Sequence, residues 1–272
     1  MTVARFMAAI AATLLVSTPA MATDPPATDV TVAGLRAGLT KVRGGDRNGE
    51  VGTVGVSFTH VGFGLEGPVS VRVINTAALA GGAAGIEGGM AQAFAGGVRA
   101  PFGKTHGLVA RGGLEFAFFG NKYLWDSMLE FPQVQLGYQW LVPRSVVDVA
   151  MKGGYVLLGR HNTGDAASQE LDGSFEWGAI GALHIGAFDV RASHTRVLVR
   201  GGGAPFDLVE AAFCGHASPV PIVLCTDVRY ELGDVRLLDQ SLRAAVVSYV
   251  GLTVGIVLFA NEAKRPMPAG RK

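Results

Sequence analysis

Apolar and polar residues alternate one by one along most of the chain after residue 30. The alternation is clearest in residues 131–142, where one face consists of Val134, Leu136, Tyr138 and Trp140. The face between them has three glutamines and a glycine. Successive side chains of a β-strand point to opposite sides, so a period of two predicts strands, and helical periodicity is nearly absent. The pattern therefore predicts an all-β chain.

Other segments repeat this alternation with different strength. It is strong in residues 94–102, 108–118, 147–155 and 175–185. It is weaker in residues 31–42, 51–62, 68–77 and 188–199, and residues 243–259 are apolar on both faces. Together these segments predict about ten antiparallel strands, within a range of about eight to twelve, joined in up-and-down order.

The composition of the two faces distinguishes a membrane barrel from a soluble sandwich. In a sandwich the outer face meets water and usually has many charged residues. Here one face is apolar, with aromatic residues toward the strand ends, and the other is small and polar. An apolar exterior around a polar interior is typical of transmembrane barrels. The residues predicted to face lipid include Leu114, Phe116, Val134, Leu136, Tyr138, Trp140, Val149, Trp177 and Leu183.

The connections between strands support the same topology. Tight turns are predicted at residues 103–107 and 143–145, and long loops at residues 79–93 and 120–130. Outer-membrane barrels have short turns in the periplasm and longer loops outside. On this scheme the longest outer loop spans residues 200–242.

With these features, residues 31–260 resemble the bacterial outer-membrane β-barrels as a class. The resemblance rests on pattern and on no specific motif, so no site residue is transferred from a family. It implies a closed antiparallel transmembrane barrel in the outer membrane of a Gram-negative cell, with membrane lipid and an unidentified surface molecule as partners. The 39 glycines agree with it, because a sheet that curves and closes on itself tolerates glycine.

The first 22 residues predict a signal peptide that is cleaved after Ala22. Arg5 precedes an uncharged apolar stretch, and Ala20-Met21-Ala22 supplies small residues for the cleavage site. The apolar stretch is too short to span a membrane comfortably. Residues 23–30 would then form an extended lead-in, and residues 261–272 a periplasmic tail.

Residues 244–260 contain no charge and leave two interpretations open. A transmembrane helix followed by basic residues would obey the positive-inside rule, and the preceding chain would then be an anchored periplasmic β-domain. A closing strand is favoured by the valines of this segment. Phe259 also resembles the terminal aromatic residue of outer-membrane barrels.

Charged residues recur on the predicted inner face: Arg36, Arg72, Arg99, Arg111, Glu115, Asp148, Lys152, Glu176, His184, Asp189 and Arg191. Unpaired buried charges are costly, so we expect these side chains to form an ion-pair network inside a narrow barrel. The alternative is a narrow passive pore with a slight preference for anions, because Arg and Lys outnumber Asp and Glu in this set.

Cys214 and Cys225 are the only cysteines, and both lie in the predicted longest outer loop. An exported protein meets an oxidising compartment, which predicts a disulfide that orders this loop as a surface or a lid. A metal site completed by His216 and Asp227 is the weaker alternative, since the spacing matches no common zinc pattern. No metal or other cofactor is therefore expected.

Catalysis is the less favoured interpretation. Acid–base groups occur in the predicted outer loops, namely Asp126, His161, Asp165, Asp172 and Asp207. Their presence alone does not make a catalytic base, because geometry decides. The balance of 23 basic and 22 acidic residues gives no indication of a nucleic-acid partner. The sequence thus favours a structural or surface-interaction barrel, with a narrow pore as its extension and a membrane-embedded hydrolase as the alternative.

Overall fold

The computed structural model describes the following residues: 27–42, 49–64, 69–82, 85–102, 105–120, 124–142, 145–163, 169–185, 188–216, 221–237 and 240–262. The predicted signal peptide, at residues 1–22, lies outside the described residues, and so does most of the predicted tail. Within the described part of the chain, no helix is long and apolar enough to cross a membrane.

Nearly all of the described residues lie in strands. The strands are β1 (Ala27–Val42), β2 (Gly49–Gly64), β3 (Val69–Gly82), β4 (Gly85–Phe102), β5 (His106–Gly120), β6 (Leu124–Val142), β7 (Ser145–Thr163), β8 (Gln169–Glu170), β9 (Phe175–Ile185), β10 (Phe188–Leu198), β11 (Phe206–His216), β12 (Ile222–Leu237) and β13 (Gln240–Glu262).

The long strands close into a ring. Each pairs antiparallel with the next long strand in sequence, and β1 also pairs with β13. The ring has 12 strands, because β8 has two residues and pairs only with β7. The predicted all-β, closed, antiparallel, up-and-down barrel is confirmed. The ring has two strands more than the central prediction of ten, and twelve is the upper limit of the predicted range of eight to twelve.

The two additional strands lie within residues 200–242, so the prediction of one long outer loop there is wrong. This segment contains β11 and β12. The alternation of β11 is weak because both faces mix polar and apolar side chains: Glu210 follows Leu208 on one face, and Asp207 precedes Val209 on the other. The outer loops predicted at residues 79–93 and 120–130 are also wrong, since strands occupy nearly all of both segments.

Residues 244–260 lie inside β13, so the transmembrane helix and the anchored periplasmic domain are wrong. The strand pairs along its length with β12 and β1, which satisfies its backbone groups within the sheet. The strands occupy residues 27–262, slightly more than the predicted 31–260.

The two ends of the barrel differ in which strand ends they contain. The terminal end is the end where β1 begins and β13 finishes, and the distal end is the opposite one.

A phase change in β6 determines which of its side chains enter the barrel. Toward the terminal end Gln139 is fully buried, whereas Leu136 is 60% exposed on the outer face. The pairing with β7 shifts after Glu130, and on the distal side Asp126 and Met128 are buried together with Glu130. The shift marks a β-bulge, where one strand contains an extra residue. Such a residue reverses the two faces of the strand. The shift thereby turns two carboxylates into the lumen.

Close contact between strands accounts for part of the glycine content. A Cβ atom on Gly178 would overlap the backbone oxygen of His194 on β10. A Cβ atom on Gly34 would lie 2.5 Å from the backbone oxygen of Val254 on β13. Glycine is therefore required where adjacent strands of this curved sheet approach each other most closely.

Candidate functional site in the barrel lumen

Side chains from opposite walls meet in the distal half of the lumen. β5 and β12 are six strands apart in either direction around the ring. The guanidinium carbon of Arg229 on β12 nevertheless lies 5.6 Å from the ring centre of Phe119 on β5. Arg229 also donates to Asp126 on β6, and the rings of Phe119 and Tyr249 are 5.7 Å apart. We call Phe119, Asp126, Arg229 and Tyr249 the septum, because together they cross the lumen.

Further acidic groups surround the septum. Glu210 accepts a second hydrogen bond from Arg229, at 3.1 Å. His161 lies between two carboxylates, 3.6 Å from Asp126 and 3.0 Å from Glu231. Glu231 is on β12 and His161 on β7, four strands apart in the ring, so this contact also spans part of the lumen. Charge pairing thus reinforces the crossing of the lumen.

Tyr249 is held in a niche on its own wall. Arg36 donates to its hydroxyl and lies 2.7 Å from Asp227. The niche needs a glycine, because a Cβ atom on Gly251 would lie 2.7 Å from the Asp227 carboxylate and 2.9 Å from Arg36. Tyr249 therefore presents its ring to Phe119 from a fixed position.

A second contact crosses the lumen toward the terminal end. Val61 on β2 and Ala182 on β9 are also six strands apart in the ring, and they belong to one buried cluster with Ile74. Unlike the septum, this contact is apolar.

A cavity of about 330 Å³ lies in the lumen beside these contacts. Small residues line the wall formed by β3, β4 and β5, among them Ala78, Ala91 and Ala117. The facing wall is polar, with Ser193, Glu210 and Asp227, and the septum residues also line the cavity. Because the side chains of the first wall are short, an open space remains between them and the polar groups of the facing wall.

The structure places the charged residues predicted for the inner face at buried or half-buried positions. Arg72, Arg111, Asp148, Lys152, Glu176 and His184 are buried. Arg36, Arg99, Glu115, Asp189 and Arg191 are half-buried.

The predicted inner residues form two buried networks, the first of which contains Arg111 and Asp148. Both side chains are fully inaccessible to solvent, and they form an ion pair. Gln139 donates a further hydrogen bond of 2.7 Å to Asp148. A carboxylate that accepts several hydrogen bonds is compensated for the loss of water.

The second network surrounds Lys152. Its Nζ lies 2.8 Å from Glu176 and 3.4 Å from Glu115. Gln133 donates to Glu115 at 2.8 Å and to Glu130 at 3.1 Å. Three carboxylates thus share one ammonium group and one amide.

Other predicted residues have close contacts within their own part of the wall. Asp189 lies 3.2 Å from Arg191 and 3.9 Å from His184, near the terminal end. Arg99 lies against Gly107 on the neighbouring strand, where a Cβ atom would come within 2.6 Å of its Nε.

Sequence reasoning missed several inner acids and one central base. Glu87, Asp126, Glu130, Glu210, Asp227 and Glu231 line the inner face, as does Arg229. All of them fall in segments predicted to be loops, namely residues 79–93, 120–130 and 200–242. The alternation of residues 222–231 could have revealed Asp227, Arg229 and Glu231. Among the described inner residues, acids outnumber Arg and Lys, which removes the basis for a preference for anions.

Cys214 and Cys225 form the predicted disulfide, but not in an outer loop. They face each other on adjacent strands β11 and β12. Both line the lumen cavity, close to the terminal end. The metal alternative is wrong because the two sulfurs are bonded to each other. The predicted stapled lid loses its basis as well.

The predicted outer-loop acids and His161 do not form one site. Asp126 and His161 meet at the septum, where His161 also stacks on Phe206 with ring centres 4.3 Å apart. Asp207 pairs with Arg196 at 3.3 Å, and Asp172 accepts a hydrogen bond from the backbone of residue 159. Asp165 lies outside the described residues. The structure thus accounts for Asp126 and His161 as members of a buried ion network.

The residues predicted to face lipid lie on the outer face. Leu114, Val134, Leu136, Val149 and Trp177 are at least 41% exposed, and Phe116, Tyr138, Trp140 and Leu183 are half-buried by neighbours on that face. One such neighbour is His106, whose ring centre lies 5.9 Å from Tyr138 and 6.1 Å from Trp140.

No protein-family model and no curated protein sequence matches the chain. Solved structures of similar architecture include the NanC porin, at 12% identity and a TM-score of 0.41, covering 84% of this chain and 98% of that one. The outer membrane protein Omp33 of Acinetobacter baumannii has 8% identity and a TM-score of 0.36, with 87% and 100% covered. An anion-selective porin from Comamonas acidovorans has 9% identity and a TM-score of 0.35, with 86% and 99% covered. Similarity this low carries no argument about this chain, and the closed barrel rests on the strand pairing of the chain itself.

Proposed function

We propose that the protein is an exported outer-membrane β-barrel whose lumen provides a narrow passive route for small polar solutes. The observation that supports this function is the charged cavity inside a closed ring of strands. A purely structural barrel has no need of unfilled space lined by charged groups at its centre.

The outer face supports a location in a lipid bilayer. Large apolar side chains are exposed on nearly every strand, and together they cover far more surface than soluble monomers usually expose. Aromatic residues, which favour membrane interfaces, occur toward the strand ends, with Phe102 and Phe188 at the terminal end and Phe175 and Trp177 toward the distal end. In this proposal membrane lipid is the partner of the outer face, and the terminal end lies in the periplasm after cleavage at Ala22.

Conductance across a planar bilayer tests the route. The refolded protein should run faster on a detergent gel before heating than after, as closed membrane barrels do, and should then produce small, discrete current steps. Folded protein that inserts without any current would contradict the pore and leave a barrel of structural type.

The structural barrel is the second candidate, and the two contacts across the lumen favour it. The septum and the cluster of Val61, Ile74 and Ala182 both narrow the path along the axis. Silent insertion is the outcome that this candidate predicts.

A further inference from the structure

We propose that the septum is the gate of the lumen and that Arg229 determines both the size and the charge of the solutes that pass. This inference rests on the proposed function, since a gate presupposes a route.

Arg229 is the central member of the septum. Its guanidinium group contacts the Phe119 ring, Asp126 and Glu210 at once, and thus joins β12 to β5, β6 and β11. The barrel wall is fixed by continuous strand pairing, whereas a long arginine side chain can change rotamer without any change in the wall. Movement of this one side chain would leave Phe119 and Tyr249 as the remaining obstruction.

Arg229 also sets the charge of the constriction. The acids Asp126, Glu210 and Glu231 lie around it, and Arg229 pairs directly with the first two. Glu210 is the most accessible of them, with its side chain 46% exposed toward the cavity. Without the guanidinium group these carboxylates would act on passing ions in a low-dielectric surrounding, and rings of Asp and Glu favour cations.

Two substitutions separate the steric role from the electrostatic one. Arg229→Ala removes bulk and charge together, so we expect a several-fold higher single-channel conductance and a reversal potential shifted toward cation selectivity. Phe119→Ala removes bulk from the same level without a charge, so conductance should rise while selectivity stays unchanged. Arg229→Gln keeps most of the length and should shift selectivity with a smaller rise in conductance.

Arg196→Ala is the matched control. Arg196 also pairs with an aspartate, Asp207, but it lies on the outer face of β10 beside the exposed His194. Its removal changes the net charge by the same amount and should change neither conductance nor selectivity. Faster gel mobility before heating than after establishes that each variant has folded, and Arg229→Gln replaces Arg229→Ala if the latter fails that test.

A second measurement tests the gate without requiring ion flow. Ala91 lines the cavity, and its partner Ala117 lies two residues beyond Phe119 toward the terminal end. An Ala91→Cys variant on whole cells should react slowly with a bulky, membrane-impermeant maleimide. Adding Arg229→Ala should accelerate this labelling several-fold, and adding Arg196→Ala should leave it unchanged.

The outcomes distinguish the two proposals. Faster labelling without current in any variant would contradict the pore along the whole axis, and would support the septum only as the barrier to entry from the distal end. Current in the native protein with conductance, selectivity and labelling all unaffected by Arg229→Ala would overturn the gate and support the pore. If Arg229→Ala and Phe119→Ala had identical effects on selectivity, the electrostatic role of Arg229 would be wrong.

Discussion

At the scale of single residues, the lumen depends on charges that are compensated inside the barrel. Arg111 and Asp148 are both inaccessible to solvent and form a direct ion pair. Removing one partner of such a pair leaves the other buried and uncompensated, which costs more than the intact pair contributes.

Asp148→Asn should therefore lower the free energy of unfolding by about 3–5 kcal/mol. Urea unfolding in lipid vesicles, followed by tryptophan fluorescence, measures the change. Glu50→Gln is the control, because the side chains of Lys41 and Glu50 are 41% and 57% exposed, and such a pair contributes only about 0–1 kcal/mol. If both variants lost the same free energy of unfolding, burial would not determine how much the Arg111–Asp148 pair contributes to stability.

At the scale of strands, alternation predicted the elements whose two faces differ clearly in polarity. Residues 131–142 and 175–185 are of this kind, and the strands predicted there are present. β11 was missed because Asp207 and Glu210 place one acid on each face. Each acid pairs with an arginine on a neighbouring strand, and sequence periodicity contains no information on such pairing.

The lumen site was harder to predict than the strands. Alternation indicated which predicted charges turn inward, but it could not reveal that β5 and β12 approach each other across the ring. The septum depends on the number of strands, since that number decides which side chains are opposite. With ten strands instead of twelve, Phe119 and Arg229 would not have been placed opposite each other.

Strand packing gives a prediction at the same scale. Gly178→Ala should destabilise the barrel by about 1–3 kcal/mol, because the new methyl group would overlap the backbone of β10. Gly52→Ala is the control, since nothing lies within 4 Å of a Cβ atom there. Urea unfolding of the two variants should give different midpoints; coincident midpoints would refute the close approach of β9 and β10.

At the scale of the whole molecule, the proposed bilayer location predicts that a charge added to the outer face costs more near the middle of a strand than near its end. Val134 lies near the middle of β6 and is 51% exposed, while Phe188 begins β10 and is 53% exposed. The two side chains are equally exposed but lie at different depths in the proposed bilayer. Comparing them therefore separates the effect of contact with hydrocarbon on stability from the effect of exposure alone.

Val134→Lys should lower the free energy of unfolding from lipid vesicles by about 2–4 kcal/mol, whereas Phe188→Lys should have an effect of about 0–1 kcal/mol from the charge. Unfolding titrations in vesicles measure both. A similar small effect at the two positions would mean that the outer face does not meet hydrocarbon.

The pairing of β1 with β13 has one more consequence. Ala27 lies beside Glu262, so the first and last described residues are neighbours at one rim of the barrel. Because the ring is closed, the chain could in principle begin in any hairpin. If a short linker joined Ala27 to Glu262 and the chain were cut in another hairpin, every ladder of hydrogen bonds between strands would be preserved. Circular permutants of the described barrel should therefore fold, and any segment joined at Ala27 or at Glu262 would leave from the same rim.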